Sequence, residues 1–121
     1  PLTETTRGLI NHRTLSRMKR GSFLINTARG GLVVEEDLAV ALQDGQLAGA
    51  ALDVFAQEPI DKKNPLLKCE NVLMTPHLAG IDTQAVNDMS LESAQNIVDL
   101  SCGIWPEGSV VNSTLKSTWK W

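Results

Sequence analysis

Phe23-Leu24-Ile25-Asn26-Thr27-Ala28-Arg29-Gly30-Gly31-Leu32-Val33-Val34 is the stretch on which the fold turns. An apolar run stops at a polar, glycine-containing turn and gives way to a second apolar run, then to a helical pattern. That is the sequence form of a strand end in an α/β sheet. In open α/β folds ligands sit beside such ends. Arg29 puts a permanent, forked cation there, which suits a carboxylate. The plainer reading is a surface arginine in a turn, and only the other strand ends can separate the two.

Working outward, Pro1 to Gly8 is a polar loop that reads as the middle of a protein, and a longer N-terminal part is expected before it. Asn11 to Arg20 reads as a brief helix with Thr14 as its cap and Gly21 as its stop. Ser22 to Ile25 is an apolar strand without alternation, so burial on both faces is expected. Glu35 to Leu42 is helical, with Leu38, Ala41 and Leu42 on one side. Its first turn holds Glu35, Glu36 and Asp37, where the helix dipole favours acidic residues.

Leu47 to Val54 reads as a second buried strand with Asp53 near its end, and Phe55 to Asn64 as a loop. Pro65-Leu66-Leu67 looks like a short anchored turn, and Asn71 to Met74 like a third strand that ends at Thr75-Pro76-His77. Thr83 to Cys102 is the longest helical pattern, closed by Gly103. Trp105 to Trp121 is a tail without a clear element, whose aromatic end is expected to dock. Linkers this short imply parallel strands joined by right-handed crossovers. Three strands with few helices bury a thin core, so this reads as half of a sheet.

The chain has 121 residues, 42% hydrophobic and 21% charged, an ordinary globular composition for one small domain. A net charge of −3 and the lack of a basic run give no support to nucleic-acid binding, and no nucleic-acid partner is expected. No apolar stretch approaches the ~20 residues of a membrane span, so no membrane partner is expected. Cys69 and Cys102 have neither metal-ligand spacing nor a CxxC. They read as free thiols in a reducing, cytoplasmic compartment, with no metal site. His12 and His77 are the only histidines, and His12 is assigned no role.

Arg29, Glu58 and His77 each follow a predicted strand. Neighbouring parallel strands end on one edge, so the three side chains are expected on one crevice. Together they suit hydride transfer between a carbinol and a keto group, the electron chemistry coming from a cofactor. His77 is the acid or base. Glu58 bonds the other ring nitrogen, orienting the ring and favouring its protonated form. Arg29 holds a substrate carboxylate. Each residue also has a bland reading: a packed or exposed histidine, a glutamate in a turn, a surface arginine. Asp53 either caps local backbone or meets a ligand.

At these residues the sequence resembles the D-isomer-specific 2-hydroxyacid dehydrogenases. The resemblance runs through Pro1-Leu2-Thr3, Thr6-Arg7-Gly8-Leu9-Ile10, Asn26 to Val33 and Ala51-Leu52-Asp53-Val54-Phe55. It continues through Glu58-Pro59, Asn71 to Gly80, Pro106 and Val111-Asn112. It implies an α/β fold: the C-terminal half of a Rossmann-type NAD-binding domain over residues 1–80, then a long helix and tail, 81–121, that belong to the substrate domain. It implies an Arg29, Glu58, His77 active site acting on a 2-hydroxy or 2-keto acid. It also implies NAD or NADP as cofactor, with Thr27, Ala28, Arg29, Asp53, His77 and Gly80 against the nicotinamide end. Glu58-Pro59 disfavours the formate dehydrogenase branch, which carries Gln-Pro there. The Trp-Lys-Trp ending resembles phosphoglycerate dehydrogenases and hydroxypyruvate/glyoxylate reductases. A homodimer is expected.

Two features depart from the family. Val34 stands where Asp usually caps the helix, a loss of about 1 kcal/mol that Glu35 is expected to offset in part. The glycine-rich pyrophosphate turn and the acidic residue for the adenosine ribose are absent from these 121 residues. Little activity is therefore expected from the 121 residues alone. The rival reading is a non-catalytic relative, either a nucleotide-sensing corepressor or a vestigial module.

Overall fold

The structure is a computed structural model, and it describes residues 1–120. Trp121, the last residue of the expected tail, lies outside them. The chain divides into two compact units, Pro1–Ala79 and Gly80–Trp121.

The first unit is built on three parallel strands in the order β1 (Ser22–Asn26), β2 (Leu47–Leu52), β3 (Val72–Met74). Helix α1 (His12–Leu15) precedes β1, and α2 (Glu35–Gln43) joins β1 to β2. Only a 3₁₀ turn at Pro65–Lys68 lies between β2 and β3. The strand ends are in register, Asn26 beside Leu52 and Leu52 beside Met74. That alignment puts the segments following all three strands on one edge.

The core is the α2 face against the sheet: Leu38, Ala39, Ala41 and Leu42 pack with Leu47, Ala50 and Leu52, and Leu15 and Leu66 close the ends. Each fully buried leucine contributes about 2 kcal/mol of transfer free energy.

Several sequence expectations need correction. α1 is four residues long, and its cap is Asn11, whose side chain accepts from the Arg13 and Thr14 backbone N–H groups. Thr14 is instead the reciprocal member of a capping box, its hydroxyl taking the Asn11 N–H. β1 is not buried on both faces, because Phe23 and Ile25 are 69% and 72% exposed. Leu24 and Asn26 turn towards the core, while the opposite face, with Leu73, is exposed. An unbroken apolar run therefore marks a strand without saying which faces are covered. Val34 makes no side-chain cap, and Glu35 does not replace it, since its carboxylate leaves the helix for another loop.

In the second unit α3 spans Thr83–Ser101. Asp82 caps it by accepting the Ala85 N–H at 2.8 Å, and Gly103, at φ 76°, ends it in the left-handed region that suits glycine. The tail contains an unexpected 3₁₀ turn at Ser113–Ser117. Trp119 meets Trp105 edge to face, ring centres 6.4 Å apart, a favoured aromatic geometry.

Candidate active site

Backbone bonds tie the three strand ends together. The Asp53 N–H donates to the Asn26 carbonyl at 3.0 Å, and the Thr75 N–H donates to the Leu52 carbonyl at 3.0 Å. Each site residue leaves this edge on its own loop.

The first loop is the Arg29 turn. Asn26 is buried, and its side chain spans the turn, accepting the Ala28 N–H at 3.1 Å and donating to the Arg29 carbonyl at 3.0 Å. This is the local amide chemistry that makes Asn a turn residue. Gly30 then passes directly beside the second loop. A Cβ there would lie 1.8 Å from the Phe55 carbonyl carbon, so only glycine lets these two backbones touch. The Arg29 guanidinium is exposed and donates to the Ala28 carbonyl at 2.7 Å.

The second and third loops bring Glu58 and His77 together. His77 Nδ1 lies 2.8 Å from Glu58 Oε2, while Glu58 Oε1 accepts the Phe55 N–H at 2.9 Å. Both carboxylate oxygens are engaged. The bond to His77 first, and the Phe55 N–H second, hold the Glu58 carboxyl below the usual glutamate range. Glu58 thus sets its carboxylate against Nδ1 of the ring, whose other nitrogen is Nε2.

His77 has φ 58°, a left-handed conformation unfavourable for a residue with a Cβ, by about 1–2 kcal/mol. Asp53 holds it there. The buried Asp53 carboxylate accepts the Thr75 hydroxyl, the Leu78 N–H at 2.8 Å and the Ala79 N–H at 2.8 Å. Donors thus surround His77 on both sides in the chain and converge on one anion. The Thr75 bond first, then the Ala79 and Leu78 N–H groups, hold the Asp53 carboxyl below its ordinary value. Asp53 is expected from the sequence either to cap local backbone or to meet a ligand; the backbone it caps is not local but that of Leu78 and Ala79, on the loop after β3.

Two clefts adjoin Asp53 and the Glu58–His77 pair, and Arg29 lines neither of them. One, of about 80 Å³, is lined by Thr27, Asp53, Thr75 and Ala79 with apolar Ile25 and Leu73. The other, of about 590 Å³, lies beside Glu58 and His77 and is walled by Phe55, Ile60, Met74 and Pro76. Gly80 opens the second unit, and a Cβ added there meets nothing within 4 Å.

Sequence reasoning named Arg29, Glu58, His77 and Asp53 but missed the residues that bond or pack against their loops: Asn26, Gly30 and Thr75. Asn at a strand end ahead of a turn was a usable signal for Asn26. The others act on residues far along the chain, and no local pattern marks them.

Residues 1–79 match the family described as D-isomer specific 2-hydroxyacid dehydrogenase, NAD binding domain. The chain is 44% identical over 116 residues to the glyoxylate reductase of Thermofilum pendens, covering 96% of this chain and 34% of that protein. It is 42% identical over 112 residues to the D-3-phosphoglycerate dehydrogenase of Synechocystis sp., covering 93% of this chain and 20% of that one. Among solved structures, the D-isomer specific 2-hydroxyacid dehydrogenase from Xanthobacter autotrophicus Py2, in complex with NADPH and MES, superposes with a TM-score of 0.77 at 41% identity. That match covers 91% of this chain and 45% of the other. The chain thus spans about a third of the length of the glyoxylate reductase it matches. A parallel α/β sheet, strand-end loops in the expected order and a family match across the whole first unit agree: the chain belongs to the D-isomer specific 2-hydroxyacid dehydrogenases.

Proposed function

We propose that this chain supplies the acid–base and carboxylate-binding side of an NAD(P)-dependent oxidoreductase acting on a 2-hydroxy or 2-keto acid. The observation that carries the reading is the Glu58–His77 pair at 2.8 Å on a loop pinned by Asp53. In this reading His77 Nε2 gives a proton to the substrate oxygen during carbonyl reduction and takes it back during alcohol oxidation. Glu58 fixes the ring and balances its positive charge. Arg29 turns from its own loop carbonyl to a substrate carboxylate, a bidentate partner that a guanidinium fits well.

The small cleft suits a nicotinamide ring, because a polar wall of Thr27, Asp53 and Thr75 faces apolar Ile25 and Leu73. A carboxamide-bearing ring has the same division of polarity. Among the described residues Asp53 Oδ2 accepts one donor, which leaves a lone pair there for an amide. When bound, the nicotinamide supplies the hydride chemistry. Thr27, the Ala28 backbone and Asp53 would hold its near end, and Gly80 is assigned to the cofactor by resemblance alone. Relatives named glyoxylate reductase and D-3-phosphoglycerate dehydrogenase favour the enzyme over the non-catalytic reading. The reading carries with it a cytoplasmic homodimer.

The test is NAD(P)H oxidation with glyoxylate, hydroxypyruvate and related 2-keto acids, using the full-length protein. Arg29→Ala and His77→Ala are each expected to lose at least about a hundredfold in turnover, the scale of a removed acid or base, with the circular dichroism spectrum unchanged. Near-normal turnover in either variant overturns the assignment. The 121-residue polypeptide alone, its mass verified, is expected to show negligible turnover.

A further inference from the structure

We propose that Glu35 is the positioning residue that sets the Glu58–His77 pair, by holding both ends of the loop that carries Glu58. The proposal rests on the reading of Glu58 and His77 as a working pair and adds to it a residue outside the crevice.

Glu35 opens α2 and is half-buried. Its carboxylate could have served its own helix, where acidic side chains in the first turn are favoured. Instead it spans the neighbouring loop. Oε1 accepts the Ala56 N–H at 2.7 Å, and Oε2 accepts from Asn64 Nδ2 at 2.6 Å. Asn64 Oδ1 in turn accepts the Leu66 N–H at 3.0 Å, which ties that end of the loop to the fully buried Leu66. Ala56 and Asn64 bracket the exposed segment that carries Glu58. The Ala56 N–H is next in the chain to the Phe55 N–H that Glu58 itself accepts. Gly30, in backbone contact with Phe55 and Ala56, butts the Arg29 turn against the same point.

One carboxylate therefore fixes where the Glu58 loop starts and where it rejoins the core. Within the loop itself, Glu58 accepts the Phe55 N–H and Asp61 Oδ1 accepts the Lys63 N–H at 2.8 Å, and both bonds are local to the loop. Without Glu35, the Ala56 N–H and the Asn64 amide lose their acceptors, and the loop is free to draw Glu58 off the ring. Charged hydrogen bonds of this kind are the strong ones.

The test follows the ¹³C-detected titration of the Glu58 side-chain carboxyl in the full-length protein. In the wild type, His77 lowers this titration and Asp53 opposes it. Glu35→Ala is expected to raise it towards the ordinary glutamate range, with amide shifts of β1, β2 and β3 unchanged. The direction is diagnostic: deleting a negative charge without moving the loop lowers a neighbouring carboxyl, so a rise reports lost geometry. Glu35→Gln keeps one acceptor but turns an NH₂ towards Asn64, and a smaller rise is expected. His77→Phe provides the separate check on the pair, since it must raise the Glu58 titration whatever Glu35 does. If His77→Phe raises it and Glu35→Ala leaves it unchanged or lowers it, the positioning role is overturned and the pair stands. If His77→Phe does not raise it, the pair itself fails. Should Glu35→Ala not fold, Glu35→Gln decides, and a wild-type titration in that variant overturns the proposal.

Discussion

Asp53 holds the His77 loop with a buried carboxylate that takes a hydroxyl and two backbone N–H groups. Asn26 holds the Arg29 turn with a neutral amide, one bond in each direction, and the turn is then wedged by Gly30 against Phe55. Both loops leave the same sheet edge, and both anchors are buried. The carboxylate can gather several donors at once, which is what a strained left-handed His77 requires. Its grip depends on ionisation. The amide and glycine arrangement is insensitive to acid but tolerates no added atom.

Adding one atom on the Arg29 side is the most severe challenge to that contrast. Gly30→Ala places a Cβ against backbone that no rotamer change can clear. A loss of about 3 kcal/mol is expected from chemical denaturation, near the upper end for overpacking. A loss below about 1 kcal/mol would mean that the Phe55 loop moves aside and the wedge is not rigid.

Acid addresses the opposite anchor. The Asp53 and Glu58 carboxyls both titrate below their ordinary range when folded. The native state then binds fewer protons than the unfolded chain. The stabilisation is complete above the ordinary carboxylate range and is lost as pH falls through the folded values. Melting temperature followed against pH is expected to drop over that acidic window. Asp53→Asn is expected to melt lower at neutral pH, because its amide turns a donor towards donors, and to flatten the acid-dependent part. An unchanged slope would show that Asp53 is not the acid-labile anchor.

The smallest effect is expected at Asn26→Ala. It removes two side-chain bonds to the Arg29 turn, a loss of about 2 kcal/mol at roughly 1 kcal/mol each. Because the amide does not titrate, the loss is expected to be equal at neutral and mildly acidic pH by urea denaturation. A pH-dependent loss would erase the distinction between the two anchors.

Much of the frame was readable along the chain. Apolar runs ending in polar turns marked β1, β2 and β3, since strand formation depends on side-chain type over a few residues. Leu38, Ala41 and Leu42 recur at helical spacing, and they do face the core. The errors lie where a pattern is silent about what packs opposite. Phe23 and Ile25 form a strand, yet coverage of a face is set by other elements. Thr14 is the cap of α1 expected from the sequence, and the backbone geometry puts the cap at Asn11 instead.

For the site, the sequence by itself determined which chemical groups are present and that each follows a strand: a guanidinium at Arg29, a carboxylate at Glu58, an imidazole at His77. Its ordered motifs also determined the family. Only the tertiary structure decided that Glu58 meets His77, that Asp53 holds the loop around His77, and that Glu35 leaves its helix for the Glu58 loop. The physical reason is range. Propensity and periodicity act over a few residues, whereas a hydrogen bond across nineteen or more positions exists only once strand register and loop path have brought the partners together.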